Sequence, residues 1–306
     1  MKIFTLGAGF ISEHLPYVNI KDRLDISVRQ MENIIQTHKP DVLINCIGKT
    51  GRPNVDWCES HREETAIANT ALPISLAEAC AKHSIHMIHV GSGCIYFGES
   101  PHLSYTQGDG KPVPDLPKHV TSWTYTYPSI QIDEGWREED FANPKSYYSK
   151  TKYAADLVLS QMNNVTVLRI RMPVSEKNHP RNLINKLRGY KQIIDIPNSM
   201  TFMKDFVRCV DWAATQGRVG VFHVTNPQPL TAARIMREYQ KYIMDHTFDI
   251  ISEQQLDSLT VAKRSNCILD SQKLAHSGFQ MTPSEEALVE CMKAYQKNMY
   301  WSSNVK

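Results

Sequence analysis

Tyr148 and Lys152 stand four apart in the run Ser146-Tyr147-Tyr148-Ser149-Lys150-Thr151-Lys152, a segment compatible with a helix. At that spacing two side chains share one helix face. A lysine so placed can lower the pKa of the phenol and still reach the ribose of a cofactor. Ser92 closes the apolar run Ile88-His89-Val90-Gly91-Ser92, and the chain opens on a glycine-bearing turn, Leu6-Gly7-Ala8-Gly9-Phe10-Ile11. A hydroxyl, a tyrosine and a lysine behind such a turn are the set that carbonyl reduction by a nicotinamide needs. Tyr17 and Lys21 repeat the spacing, but they fall where a short strand is expected. Residues four apart in an extended chain are separated by about 13 Å and cannot cooperate.

The pattern Gly7-x-Gly9-x-x-Ser12 follows a strand and opens a helix, the context that a dinucleotide fingerprint requires. Gly7 permits the tight turn, Gly9 lets backbone approach a pyrophosphate, and Ser12 replaces the third glycine that packs helix on strand. The acidic residue expected about twenty positions on is Asp22 or Asp25, with Lys21 and Arg23 beside them. Carboxylates there suit a ribose 2′-hydroxyl and the basic pair suits a 2′-phosphate, so these residues leave NADH and NADPH both open.

Short apolar runs alternating with amphipathic stretches position these groups. Strands are expected at Lys2–Leu6, Tyr17–Ile20, Asp41–Cys46, Ile85–Val90, Val165–Arg171 and Gly220–Thr225. Helices are expected at Phe10–Leu15, Ser27–His38, Asp56–His83 and Pro144–Met162. From about Pro173 the chain reads as helix-rich, at Pro180–Tyr190, Lys204–Gly217, Thr231–His246 and Pro283–Met299. The expected class is α/β: a Rossmann-type doubly wound parallel sheet with a smaller helix-rich substrate-binding lobe over its carboxyl edge. Residues 1–172, with about 219–226, make the dinucleotide-binding domain, and the remainder of 173–306 makes the lobe. Residues 98–143 show neither period, and a connection of that length past the mouth of the site reads as a lid, an oligomer contact or a surface insertion.

Composition narrows the class. The chain has 306 residues, 42% hydrophobic and 22% charged, enough for one core and a second lobe. A net charge of +2 argues against nucleic acid or anionic membrane as the main partner. No apolar run reaches the roughly 18 residues of a membrane span, and Met1–Leu6 reads as a first strand, not a signal peptide. The seven cysteines include no Cys-x-x-Cys pair, which predicts reduced thiols and a cytoplasmic location. His83, His86 and His89 look like a metal cluster, but on a strand His86 and His89 face opposite sides, so structural histidines and no metal site are expected.

Longer runs carry a resemblance. These are Thr50-Gly51-Arg52-Pro53-Asn54-Val55-Asp56-Trp57-Cys58-Glu59-Ser60-His61, Gly93-Cys94-Ile95, Tyr148–Lys152, Leu168-Arg169-Ile170-Arg171-Met172-Pro173, Pro180-Arg181-Asn182, Asp195–Thr201 and Arg264-Ser265-Asn266. With Leu6–Ser12 and Ser92 they resemble an extended short-chain dehydrogenase/reductase. More narrowly they resemble the bifunctional 3,5-epimerase/4-reductases of eukaryotic nucleotide-rhamnose synthesis, and more distantly bacterial dTDP-4-dehydrorhamnose reductase. The resemblance covers nearly the whole chain. Three features depart from the family pattern: the fingerprint glycines are shifted, Ser92 stands where threonine is usual, and the 98–143 segment is longer.

That resemblance implies a nucleoside-diphosphate 4-keto-6-deoxyhexose substrate, NADPH as the usual hydride donor with NADH as the alternative, and a homodimer as one possible assembly. Ser92 would hydrogen-bond the C4 carbonyl, Tyr148 would deliver the proton, and Lys152 would hold the ribose. Cys94 and Lys186 would be the acid/base pair of epimerisation, since inverting a centre beside a ketone takes a proton from one face and returns one to the other. The cofactor would lie against Gly7, Gly9, Phe10 and Ile11, then Asp25 and Ile26. Further on it would meet Cys46, Gly48 and Asn69, with Met172 and Pro173 beyond Tyr148 and Lys152. Arg52, Asn54, Asn182 and Arg264 would join Ser92, Cys94 and Lys186 around the substrate, because a planar guanidinium fork suits phosphate. Trp57 and Trp136 are read as packing residues. A reductase lacking epimerase activity and a non-catalytic NADP-binding regulatory subunit are the alternative readings.

Overall fold

The computed structural model describes residues 1–21, 24, 27–102, 104–106, 131–133 and 135–304. The apolar runs form six strands: β1 (Ile3–Leu6), β2 (Val18–Ile20), β3 (Val42–Asn45), β4 (His86–Ser92), β5 (Val165–Ile170) and β6 (Gly220–His223). They pair in parallel in the order β2-β1-β3-β4-β5-β6. Every residue of β3 and β5 is buried, as expected of strands with both faces covered by helices.

Successive strand residues face opposite sides. Leu43, Met87 and Val167 pack against α1 (Val28–His38), α4 (Leu72–Lys82) and α5 (Tyr147–Leu159). Their neighbours Ile44, Ile88 and Leu168 pack against Phe206, Val210 and Ala213 of α7 (Met203–Gln216). A further core gathers Ile184 and Leu187 of α6 (Leu183–Arg188), Ile235, Met236 and Tyr239 of α8 (Ala232–Tyr242), and Leu288, Met292 and Tyr295 of α10 (Ser284–Asn304). Truncating such a buried aliphatic side chain to alanine costs about 2–5 kcal/mol.

The chain passes from β1 to β2 on one side and returns to β3 on the other, so the strand order reverses between β1 and β3. A crevice opens at the carboxyl ends of strands at such a reversal. The side chains for it come from the end of β4 and from α5. Ser146 caps α5 by accepting the Ser149 N–H. Ser149, Lys152, Ala155, Asp156 and Leu159 then form the buried face, which carries Lys152 into the crevice.

Two expected helices differ. After β1 there is only a 3-10 turn, Ser12–His14, because Leu15 before Pro16 takes an extended conformation (φ −81°, ψ 135°). The expected 56–83 helix divides at His61 (φ −117°, ψ 56°) into α2 (Trp57–Ser60) and α3 (Arg62–Ala66). The His61 ring stacks on Trp57 at 3.8 Å and its Nδ1 lies 2.9 Å from the Trp57 carbonyl, which holds the break. A π turn, Ile67–Ala71, then precedes α4. The role expected for the 98–143 connection falls largely on residues outside those described; its far end is held by Trp136, which stacks on Tyr96 and donates to the Gly98 carbonyl.

Candidate active site

The turn after β1 is shaped by two glycines with different duties. Gly7 has φ +111°, and a Cβ there would lie 3.2 Å from the Cys46 carbonyl carbon, so the ends of β1 and β3 close up only around glycine. A Cβ on Gly9 would meet nothing within 4 Å, leaving bare backbone facing the crevice. Ser12 accepts the Gly9 N–H at 3.0 Å and donates to the Gly9 carbonyl at 2.9 Å. It fixes the turn by hydrogen bonds where a third glycine would do so by close packing.

Beyond the turn lies a cavity of about 970 Å³, at the upper end of the range for small-molecule sites. One arm is lined by Gly9, Phe10, Ile11, Cys46, Gly48 and Asn69. Ser92, Tyr148, Lys152, Met172 and Pro173 line its middle, and Arg52, Asn54, Cys94, Lys186 and Arg264 line the other arm. Gly7 backs the wall without lining it. Asp25 and Ile26 lie outside the described residues. Asn69 sits in the π turn, fully buried. Its Oδ1 accepts the Lys49 N–H at 2.7 Å, while Nδ2 donates to the Lys49 carbonyl and to Thr151 Oγ1 of α5.

Tyr148 donates to Ser92 Oγ at 3.5 Å. Lys152 donates to the Val90 carbonyl at 3.0 Å, and its Nζ lies 3.2 Å from His89 Nε2. Burial lowers Lys152 to about 8, against an opposing pull from Asp156 and Cys46. Burial raises the Tyr148 phenol well above its ordinary value, helped by Cys94 and opposed by the Ser92 bond. The expected lowering of Tyr148 by Lys152 is therefore not what this site shows, because the ammonium is turned toward β4. His89 and Asn45, whose side chains lie 3.1 Å apart, form the support behind Lys152. Burial and Lys152 push His89 well below its ordinary value, keeping it neutral.

Cys94 stands in a 3-10 turn, Gly93–Ile95, immediately after β4. A Cβ on Gly93 would fall 2.3 Å from Leu269 Cδ1, so the turn presses against that side chain. Cys94 Sγ accepts a hydrogen bond from Arg171 Nη1 at 3.3 Å. Lys186, on α6, is lowered by burial and by Arg181 and raised by Cys94.

Two residues expected around the substrate are engaged elsewhere. Asn182 is fully buried; it accepts from the Ser175 N–H and donates to the Ser175 and Lys177 carbonyls. It also caps α6, so it shapes the loop and does not face the cavity. Arg264 grips both Asp56 oxygens at 2.8 and 2.9 Å. Burial opposes that carboxylate, but the Arg264 bond and the Ala262 N–H hold Asp56 below its ordinary range. Arg264 thus lines the cavity with its charge already matched. Asn54 keeps Oδ1 on the Asp56 N–H. Arg181, to which no substrate role is assigned from sequence, donates to Thr50 Oγ1 at 2.7 Å and is lowered by burial and by Arg52. Neither Arg52 nor Arg181 has an ion-pair partner among the described residues. Sequence spacing gives no sign of Arg171, Arg181 or His89, since each acts across strands or loops far apart in the chain.

The reversed parallel sheet, the glycine turn and the Ser92–Tyr148–Lys152 set together define a short-chain dehydrogenase/reductase fold of the extended kind. A family model described as RmlD substrate binding domain matches residues 7–117. The bifunctional dTDP-4-dehydrorhamnose 3,5-epimerase/dTDP-4-dehydrorhamnose reductase of Arabidopsis thaliana is 33% identical over 290 residues, covering 94% of this chain and 83% of that protein. The trifunctional UDP-glucose 4,6-dehydratase/UDP-4-keto-6-deoxy-D-glucose 3,5-epimerase/UDP-4-keto-L-rhamnose-reductase RHM1 of the same plant is 33% identical over 93% of this chain, which spans 39% of its length. The L780 UDP-rhamnose synthase of Acanthamoeba polyphaga mimivirus superposes with a TM-score of 0.79 at 24% identity, over 95% of this chain and 99% of that one. The chain belongs to the family of nucleotide-rhamnose epimerase/reductases.

Proposed function

We propose that this chain converts UDP- or dTDP-4-keto-6-deoxy-D-glucose to the L-rhamnose nucleotide, inverting C3 and C5 and then reducing C4 with NADPH. The observation that carries this reading is convergence: Ser92 and Tyr148 share one cavity with Cys94 and Lys186. A reductase alone needs only the first pair. Residues 1–172 with 219–226 would hold the cofactor, and the rest of 173–306 the sugar nucleotide.

The bare backbone at Gly9 and the closed turn at Gly7 suit a pyrophosphate. When bound, the reduced nicotinamide supplies the hydride that C4 receives. Ser92 hydrogen-bonds the C4 oxygen and Tyr148 gives it a proton, both from the β4–α5 side. Lys152 orients the cofactor ribose. Arg52 and Arg181, two guanidinium groups that line one cavity with no ion-pair partner among the described residues, suit the diphosphate. Epimerisation falls to Cys94 and Lys186 because the ketone acidifies the hydrogens at C3 and C5 and two groups must act from opposite faces.

The test is to supply each 4-keto-6-deoxyglucose nucleotide with NADPH or NADH in heavy water and identify the product. An L-rhamnose nucleotide carrying deuterium at C3 and C5 but not at C4 is expected. A reduced sugar lacking deuterium at C3 and C5 would leave a reductase only. Consumption of neither nucleotide would point to a regulatory cofactor-binding role.

A further inference from the structure

His14 closes the turn after β1 and reaches across to the loop that leads into α6. Its Nδ1 lies 2.7 Å from the Phe10 carbonyl and its Nε2 lies 2.7 Å from Ser175 Oγ. A carbonyl only accepts, so Nδ1 carries the ring hydrogen and Nε2 offers its lone pair. Burial lowers the His14 ring, against the Phe10 bond, and keeps it in that neutral form. The single Ser175 hydroxyl hydrogen has two takers, His14 Nε2 at 2.7 Å and Glu176 Oε2 at 3.2 Å, and the shorter contact claims it. Ser175 is 1% exposed; its backbone N–H is held by Asn182 Oδ1, and its oxygen accepts the Lys177 N–H. Two contacts run beside this bridge. Lys177 Nζ donates to the Glu13 carbonyl at 2.9 Å, and the His179 ring stacks on Phe10 at 4.9 Å. The Arg181 N–H in turn donates to His179 Nδ1 at 3.0 Å. The turn that lines the cofactor arm and the loop that carries Arg181 thus meet at three points.

We propose that His14 is a positioning residue that couples the two arms: through Ser175 it makes the cofactor and the sugar nucleotide each bind more tightly in the other's presence. This rests on the functional reading above, which places a pyrophosphate on the Gly9 turn and the substrate diphosphate beside Arg181. A turn built on Gly7 and Gly9 loses more backbone freedom on ordering than one of larger residues. A pyrophosphate held on that backbone orders it. The His14 bridge passes the order to Ser175, to the loop that Asn182 gathers, and so to Arg181. The second ligand then meets a loop already fixed and loses less of its affinity to fixing it. Such coupling is a free energy between two sites, so it acts equally in both directions. Ser92, Tyr148 and Lys152 stand on β4 and α5 and take no part in this path.

The experiment is calorimetric titration of the full chain with UDP and with dTDP, each alone and at saturating NADP⁺. The native protein should bind the nucleotide it accepts about five- to tenfold more tightly when NADP⁺ is present. His14→Asn keeps a donor for the Phe10 carbonyl but is too short to reach Ser175, and Ser175→Ala cuts the bridge from the other side. Each should bring that ratio to within about twofold of one, and the double variant should lose no more than either alone. NADP⁺ affinity in the absence of nucleotide should stay near that of the parent. Independent binding of the two ligands to the native protein overturns the proposal without any variant having to fold, and so does a ratio that survives both substitutions. Failure to bind NADP⁺, or to bind either nucleotide, overturns the functional reading itself and the proposal with it.

Discussion

Lys152 shows how a reactive group is kept inside a core at a cost to the fold. Its ordinary value of 10.5 falls to about 8, chiefly by burial. Between those values the unfolded chain binds the extra proton, so stability rises with pH across that window and the burial penalty is fully present below it. At about 1.4 kcal/mol per pH unit the penalty at pH 7 is bounded at about 3 kcal/mol. Lys152→Met should therefore abolish reduction yet raise the urea midpoint at pH 7, with the gain shrinking toward pH 10. Urea melts at pH 7 and 9.5 decide this, and a variant less stable than the parent at pH 7 would refute the burial account. Tyr148, Lys152 and Ser92 were legible in the sequence because helix spacing and a strand end place them by local rules. His89, Arg171 and Arg181 were not, because their roles arise from hydrogen bonds and charges between elements that no periodicity encodes. Residue type suggests Asn182 and Arg264 as ligands; the backbone of Ser175 and Lys177 holds the Asn182 amide, while Arg264 lines the cavity already paired with Asp56.

At the scale of elements, all six strands of the sheet were readable as apolar runs bounded by turns. The helix after β1 was not, since Pro16 and the Ser12–Gly9 hydrogen bonds leave room for a single 3-10 turn. The division of the 56–83 stretch was hidden because a ring stack and a π turn leave the apolar pattern nearly intact. That π turn has a local purpose. It points Asn69 at the Lys49 backbone and at Thr151, tying the loop after β3 to the helix that carries Tyr148 and Lys152. π turns often mark such functional positions. Asn69→Ala should leave the Lys49 N–H unmatched and cost about 1–3 kcal/mol. Cofactor affinity should fall several-fold while the thermal transition stays cooperative. Calorimetric titration with NADPH measures the first effect and thermal unfolding the second; unchanged affinity would show that the tether serves stability alone.

Across the whole molecule, the Asp56–Arg264 pair ties together two walls of the arm of the cavity that Arg52 and Asn54 also line. Asp56 comes from the loop that precedes α2 beside the sheet, and Arg264 from the segment that follows α9 (Glu253–Leu259) on the far side. The guanidinium is about one-fifth exposed and the carboxylate about one-quarter, so solvent screens the pair and its net worth is modest. Its geometry matters more: a bidentate fork fixes the distance between two walls of the site. Because the Asp56 carboxyl is held below its ordinary 3.8, the clasp contributes fully above that value and is lost as pH falls through the lowered one. Arg264→Gln and Asp56→Asn should each raise the KM for the sugar nucleotide by several-fold to about tenfold, equivalent to about 1.4 kcal/mol at the upper limit. Both should leave cofactor affinity near that of the parent. In a double-mutant cycle the combined variant should be little worse than either alone, because the second change removes a partner already lost. Effects that simply multiply would show that the two residues contact the substrate separately, and that the walls are held apart by other means.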